Sequence, residues 1–168
     1  MSVPRRIRAA TAADAPRIGA VARAGYDIYV SRIGRPPAPM VADFAAHIAA
    51  GEVVVVETGG SIAGYMVSWP EADAYFIDNI AVDPDRQRRG LGRALIDYAA
   101  AEARRLGLPA VRLYTNVAMT ENRAMYARLG FVEIHQTTED GFHRVYLRWD
   151  LLDDGRRVAD IRPGKAKS

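Results

Sequence analysis

The sequence predicts a single α/β (α+β) domain, a mixed central sheet of about seven strands flanked by about four helices. Short β-branched or alternating apolar runs recur at strand length between Arg5 and Asp150. Stretches with apolar residues three and four apart separate some of these runs, and glycine-bearing turns join others. The resulting order is strand, helix, helix, three strands, helix, strand, helix, two strands. It combines hairpins, which pair antiparallel, with helical crossovers, which make parallel neighbours, so the sheet should be mixed.

Arg5 to Ala10 reads as the first strand, with Ile7 inward. Thr11 and Asp14 both look like helix N-caps. Asp14 is the better one, because it leaves Pro16 in the first turn, where a missing N–H costs nothing. Ile18, Val21, Ala22 and Gly25 then line one helical face. Residues Tyr26 to Met40 include Gly34-Arg35-Pro36-Pro37-Ala38-Pro39 and read as a loop carrying Tyr26, Tyr29 and Arg32. A short helix, about Val41 to Ala50, stops at Gly51. Val53 to Val56 is a β-branched run without alternation, as in a strand buried on both faces. Thr58-Gly59-Gly60-Ser61 turns it into a second strand, Ile62 to Trp69, and Tyr75 to Val82 follows. A helix then runs to Leu106 before the stop signals Gly107 and Pro109. Val111 to Asn116 is a strand, Thr120 to Leu129 a helix ending at Gly130, and Phe131 to Thr138 with Phe142 to Asp150 a hairpin.

At 168 residues, 49% hydrophobic and 26% charged, the chain is ordinary for one globular domain, placed at residues 1–151. It contains no cysteine, so disulfides, thiolate metal sites and a cysteine nucleophile are excluded. The three histidines, His47, His135 and His143, do not fall at metal-binding spacing, and no metal is expected. No apolar run approaches membrane-spanning length, so no membrane partner is expected and a cytoplasmic location is the default. The net charge is +3, and Leu152 to Ser168 carries five basic against three acidic residues, so two of the three net charges belong to this tail. The tail reads as basic and disordered, and the body is too weakly charged for a duplex-binding face, so no nucleic-acid partner is expected.

The stretch Ile80 to Leu95, IAVDPDRQRRGLGRAL, is a strand, a polar loop and a helix start. The first turn of a helix leaves N–H groups without partners and carries the positive end of the dipole, which suits phosphate oxygens. Gly90 and Gly92 remove Cβ atoms that would hold an anion off, and Arg86, Arg88, Arg89 and Arg93 add positive charge. A dinucleotide fingerprint would need glycine where Leu95 stands, and a P-loop would need Gly-Lys-Ser/Thr. What remains, Gln87-Arg88-Arg89-Gly90-Leu91-Gly92, resembles the Q/R-x-x-G-x-G/A pyrophosphate loop of the GNAT superfamily of acyl-CoA-dependent N-acyltransferases. Asn122 to Phe131 resembles a second segment of that family, N-x-x-A-x-x-x-Y-x-x-x-G-F, with Tyr126 at its offset from Gly130-Phe131. The similarity covers about Arg5 to Trp149, and the order of elements is also that of the family.

The resemblance implies acetyl-CoA as cofactor, held between two parallel strands that splay apart, here Phe76 to Val82 and Val111 to Asn116. Backbone groups of Ile80, Ala81 and Val82 would meet the pantetheine arm. Those of Gln87, Arg88, Arg89, Gly90, Leu91, Gly92 and Arg93 would hold the pyrophosphate. Asn122 resembles the asparagine that bonds the cofactor arm, and it also fits a helix N-cap. Tyr126, one turn on and on the same helical face, resembles the acid that protonates the departing thiolate, or it is a core tyrosine.

The attacking amine must lose a proton, since a lysine-like amine has a pKa of about 10.4. Some family members place glutamate or histidine on the strand before the loop, where this chain has Phe76. The next residue on that face is Asp78, the leading base candidate, with His143 second and water a third route. Tyr29, Tyr75, Asn79, Tyr114 and Asn116 are candidates for lining an acceptor site. The resemblance implies transfer of an acetyl group to a primary amine of a small molecule or protein by direct attack in a ternary complex. A non-catalytic acyl-CoA-binding module is the alternative, and a homodimer through strand edges is left open.

Overall fold

The computed structural model describes residues 4–87 and 89–151, so Arg88 of the phosphate loop and the tail 152–168 lie outside the described residues. The strands are β1 (Arg5–Ala9), β2 (Val53–Thr58), β3 (Ser61–Pro70), β4 (Tyr75–Val82), β5 (Ala110–Asn116), β6 (Val132–Glu139) and β7 (Phe142–Asp150). The helices are α1 (Ala15–Tyr26), α2 (Val30–Ile33), α3 (Phe44–Ala49), α4 (Leu91–Arg105) and α5 (Thr120–Leu129). The strands form a seven-stranded sheet in the order β1-β2-β3-β4-β5-β7-β6, the α/β class and strand number that the sequence predicts.

Two local expectations need correction. Residues Tyr26 to Met40 are not an irregular loop: a 3-10 turn at Asp27–Tyr29 leads into α2, and a second covers Ala38–Val41. The prolines permit this because Pro37 precedes the second turn and Pro39 lies in its first residues, where no backbone N–H is required. Asp14 does not cap α1 with its side chain. Its carboxylate turns back to accept from the Thr11 N–H at 2.8 Å and from Arg8 at 2.8 Å. The Arg8 guanidinium beside it holds the Asp14 carboxyl down at about 2, against the desolvation that would raise it.

The chain divides into two compact units, Met1–Trp69 with Ile77–Tyr98, and Pro70–Phe76 with Ala99–Ser168. In the first, β1, β2 and β3 pair antiparallel. Ile18, Val21 and Ala22 of α1 and Phe44 of α3 share a core with Val53, Val55, Ile62, Tyr65 and Val67. Phe44 meets Tyr65 edge-on with ring centroids 5.1 Å apart. Val55 and Val56 are both fully buried, which accounts for the missing alternation in β2. In the second unit, β5 and β6 flank β7 antiparallel. The β6–β7 turn is Asp140-Gly141, with φ values of 52° and 79°, the pair of left-handed conformations that a two-residue type I′ turn demands.

Among the described residues no helix is long and apolar enough to cross a membrane. Nor does any group of three or more His, Cys, Asp or Glu among them suit a metal ion.

Gly64 sits in β3 opposite Val56. A Cβ there would lie 2.9 Å from the Ala81 carbonyl oxygen and 3.1 Å from Val56 Cγ1, and the carbonyl, being backbone, cannot withdraw without moving its strand. Gly64→Ala is therefore expected to destabilise the fold by about 1–3 kcal/mol, the usual cost of overpacking. Urea unfolding of the purified protein measures this, and a midpoint equal to wild type would contradict the close approach of β3 and β4.

Candidate active site

The strand-to-helix corner is built in the first unit. Asp83-Pro84 ends β4, a 3-10 turn covers Pro84–Arg86, and α4 starts after Gly90. Gly90 has φ +73°, a conformation costly for any residue with a Cβ, and its carbonyl accepts the N–H of Ala94 at 3.0 Å. The N–H groups of the turn between them, Leu91 to Arg93, have no intrahelical partner by geometry. Leu91 and Leu95, both essentially buried, seat the helix so that this turn is held in place.

Gly92 differs from Gly90. Its backbone is not left-handed, and among the described residues an added Cβ would meet only Val82 Cγ2, at 3.9 Å. Packing among the described residues does not require glycine at this position.

Charge at the corner is arranged differently from expectation. The Arg86 guanidinium does not add to the helix N-terminus but turns to the β2–β3 hairpin, donating to Thr58 Oγ1 at 3.1 Å and Ser61 Oγ at 2.6 Å. Arg93 pairs weakly with Asp97 one turn along α4, at 3.8 Å with both side chains largely exposed. Arg5, which no local sequence signal marks, reaches in from β1 and donates to the carbonyls of Arg89 and Gly90 at 3.5 and 3.3 Å. Asp83 accepts from the Asp85 N–H at 3.0 Å and from Arg17 at 2.7 Å. Burial opposes its charge, but these donors outweigh burial and leave its carboxyl below the usual range.

On β4, Tyr75 is buried and Asp78 half-buried. Asn79 points to the other side of the strand from Asp78, buried, with its side-chain oxygen accepting the Tyr65 hydroxyl. The Ile80 carbonyl accepts the Tyr26 hydroxyl at 2.6 Å. Tyr26 is a buried residue at the end of α1 whose role the loop reading missed. Tyr29 is buried with the Arg32 guanidinium 5.4 Å from its ring centroid.

In the second unit, α5 starts after Met119, and Asn122 is the third residue of the helix, so it is not the N-cap. The start is shaped by Asn116, whose side-chain oxygen accepts the Ala118 N–H at 2.9 Å while its carbonyl accepts that of Met119 at 3.0 Å. The Met119 sulfur lies 3.2 Å from the Thr115 hydroxyl and 3.8 Å from the Asn122 amide nitrogen. Tyr126 lies one turn beyond Asn122 on the same face, buried, with its ring edge-on to Phe131 at 5.6 Å.

Tyr114 projects from the face of β5 opposite Thr115. It stacks on Phe76 at 5.9 Å and meets Tyr146 at a tilt at 5.7 Å, under the Arg144 guanidinium at 4.4 Å. His143 is exposed, and its carbonyl accepts the Val117 N–H at 3.0 Å. The second unit therefore gathers Asn116 and Asn122 about Met119, whereas Tyr114 belongs to a separate aromatic layer.

A family model described as the acetyltransferase (GNAT) family matches residues 23–131. The [ribosomal protein bS18]-alanine N-acetyltransferase of Escherichia coli (strain K12) is 36% identical over 74 residues, 44% of this chain and 50% of that protein. The mycothiol acetyltransferase of Geodermatophilus obscurus is 48% identical over 52 residues, 31% of this chain and 17% of its own length. The chain thus spans half or less of the length of these curated relatives.

Among solved structures, the ribosomal-protein-S18-alanine N-acetyltransferase from Escherichia coli superposes with a TM-score of 0.69 at 24% identity, covering 88% of this chain and 94% of that one. The PaiA N-acetyltransferase from Thermoplasma acidophilum, in complex with coenzyme A, gives 0.71 at 14% identity, covering 85% and 98%. At such identities the likeness is one of fold. The family match, by contrast, extends over more than half of the sequence, and on it the chain belongs to the acetyltransferase (GNAT) family.

Proposed function

We propose that the protein transfers an acetyl group from acetyl-CoA to a primary amine, with both substrates bound at once. The observation that carries this reading is the pair of glycines at the start of α4. Gly90 is explained by its own backbone, but Gly92 has room for a side chain and lacks one. A helix N-terminus kept bare where the fold does not need it is suited to the close approach of a phosphate-bearing ligand. The family membership makes that ligand acetyl-CoA. In this reading the N–H groups from Gln87 to Arg93 hold its pyrophosphate, Ile80 to Val82 face the pantetheine arm, and Asn122 holds the arm from α5.

The chemistry then needs little from the protein beyond position and proton transfer. The amine nitrogen attacks the thioester carbonyl carbon, a C–N bond forms, the C–S bond breaks, and the sulfur leaves as a thiolate. Two protons must be handled. Asp78 takes the proton from the amine, directly or through water, with His143 as the second candidate. Tyr126 returns a proton to the thiolate. The chain has no cysteine to carry the acyl group, in keeping with direct transfer. The acceptor is an amine of a protein or a small molecule, selected by residues such as Tyr114, which stacks on Phe76, the neighbour of Asp78 on its strand face. One of the curated relatives above is named for the alanine of a ribosomal protein and the other for the small molecule mycothiol.

Incubation with acetyl-CoA and a panel of amines, followed by thiol release, tests the activity itself. Gly92→Val should weaken acetyl-CoA binding by roughly tenfold or more through lost backbone contacts while leaving the melting temperature near wild type. Calorimetry reads it, and unchanged affinity would remove the loop from the site.

Asp78→Asn should lower turnover by ~10²–10⁴ with little change in cofactor affinity if the carboxylate accepts the proton directly. A loss below tenfold moves the role to His143 or water.

Tyr126→Phe should slow turnover on acetyl-CoA, and the deficit should shrink with an activated thioester whose thiol leaves without a proton. An equal deficit for both donors, or a fall in melting temperature that accounts for the lost activity, would make Tyr126 a packing residue.

A further inference from the structure

Arg86 lies at the edge of the pyrophosphate loop yet spends its guanidinium elsewhere. Nη1 donates to Thr58 Oγ1 at 3.1 Å and to the carbonyls of Thr58 and Ser61 at 3.3 and 3.4 Å, while Nη2 donates to Ser61 Oγ at 2.6 Å. Thr58 and Ser61 are the last paired residues of the β2–β3 hairpin, either side of Gly59-Gly60. The backbone of Arg86 meanwhile closes the corner turn, its N–H donating to the Asp83 carbonyl at 2.8 Å. One residue thus clamps the loop's first turn to a hairpin that has no place in the proposed site. The rest of the turn is anchored to the same strand. The Asp83 N–H donates to the Ala63 carbonyl at 2.7 Å, and Arg17 bridges Asp83 and the Ile62 carbonyl at 2.7 and 3.0 Å.

We propose that Arg86 is a positioning residue for acetyl-CoA binding, holding the pyrophosphate loop in its receptive shape through a fork to Thr58 and Ser61. This rests on the reading of residues 87–93 as the pyrophosphate site. Backbone N–H groups bind an anion well only when they already point at it, because ordering a loop at the moment of binding costs affinity. A planar fork can span two hairpin residues at once, which a single ammonium cannot. The geometry therefore separates two roles for the same cation. If Arg86 merely contributed positive charge near the phosphates, lysine would serve. If the fork sets the loop, lysine fails, and the hydroxyls it binds matter although they lie on the hairpin.

The test is calorimetric titration of coenzyme A into Arg86→Lys, the double variant Thr58→Val with Ser61→Ala, and the triple combination. Arg86→Lys and the hydroxyl double variant should each weaken binding by about tenfold, as for loss of charge-assisted hydrogen bonds. The triple variant should be no worse than Arg86→Lys alone, because once the fork is gone the hydroxyls have no guanidinium to hold, whereas the double variant still leaves Arg86 its bonds to the Thr58 and Ser61 carbonyls. Ser61→Thr, which keeps the hydroxyl, should bind as wild type. Wild-type affinity in Arg86→Lys, or additive losses in the triple variant, would overturn the proposal. So would a loss that vanishes when binding is measured well below the variants' melting temperatures, since that marks general destabilisation. Gly92→Val serves as the control: if it leaves coenzyme A binding intact, the loop reading itself fails, whereas weakened binding there with normal binding in Arg86→Lys removes only the role of Arg86.

Discussion

Asp83 stands where β4 must stop and α4 must be aimed, and its half-buried carboxylate holds that corner together. One oxygen takes the Asp85 N–H and so starts the turn, and the other takes the Arg17 guanidinium from α1. Burying a carboxylate is costly unless donors surround it, and here the donors are the elements that need joining. Arg17 also donates to the Ile62 carbonyl of β3, so α1, β3 and the end of β4 meet at one charge. The direction in which α4 presents its first N–H groups follows from this corner, as does the position of the loop between.

The second unit depends on a different constraint, the strict alternation of side chains along β5 and β7. Val111, Leu113, Val145, Leu147 and Trp149 are buried on one face, and Phe131 bridges from Trp149 to Tyr126 at 5.7 and 5.6 Å. The other face alternates cations with rings. Arg112 lies 4.7 Å from the Phe76 ring and Arg144 lies 4.4 Å from that of Tyr114, each also paired to a carboxylate, Glu71 or Glu139. Burial, with the Glu139 carboxylate accepting its hydroxyl, pushes the Tyr146 phenol up and keeps it a hydrogen-bond donor. Tyr114 and Thr115, neighbours in sequence, thus serve opposite sides of one strand.

Much of the architecture was legible in the sequence, because its determinants are local. Period-two and period-3.6 apolar patterns, the Gly59-Gly60 and Asp140-Gly141 turns and the β-branched run of β2 each dictate backbone conformation within a few residues. The bare helix start at Gly90 to Gly92 and the shared face of Asn122 and Tyr126 are local for the same reason. Residues 26–40 misled, since a proline cluster that forbids long helices still permits short turns beginning at proline. Asn122 misled in another way, as an N-cap residue type that stands third in its helix.

Only the tertiary structure decided which partners the side chains took. Arg5 reaches the carbonyl of Gly90 across 85 positions, Tyr26 finds the Ile80 carbonyl across 54, and Arg86 turns from the loop it adjoins to a hairpin 25 to 28 residues earlier. A guanidinium or phenol has no positional preference strong enough to be read locally, and its partner is whichever acceptor the packed strands bring within about 3 Å. The sequence by itself therefore determined where strands, turns and the candidate phosphate loop lie. The assignment of each arginine to a ligand, a carboxylate or a carbonyl had to wait for the fold, because those energies exist only between residues that folding brings together.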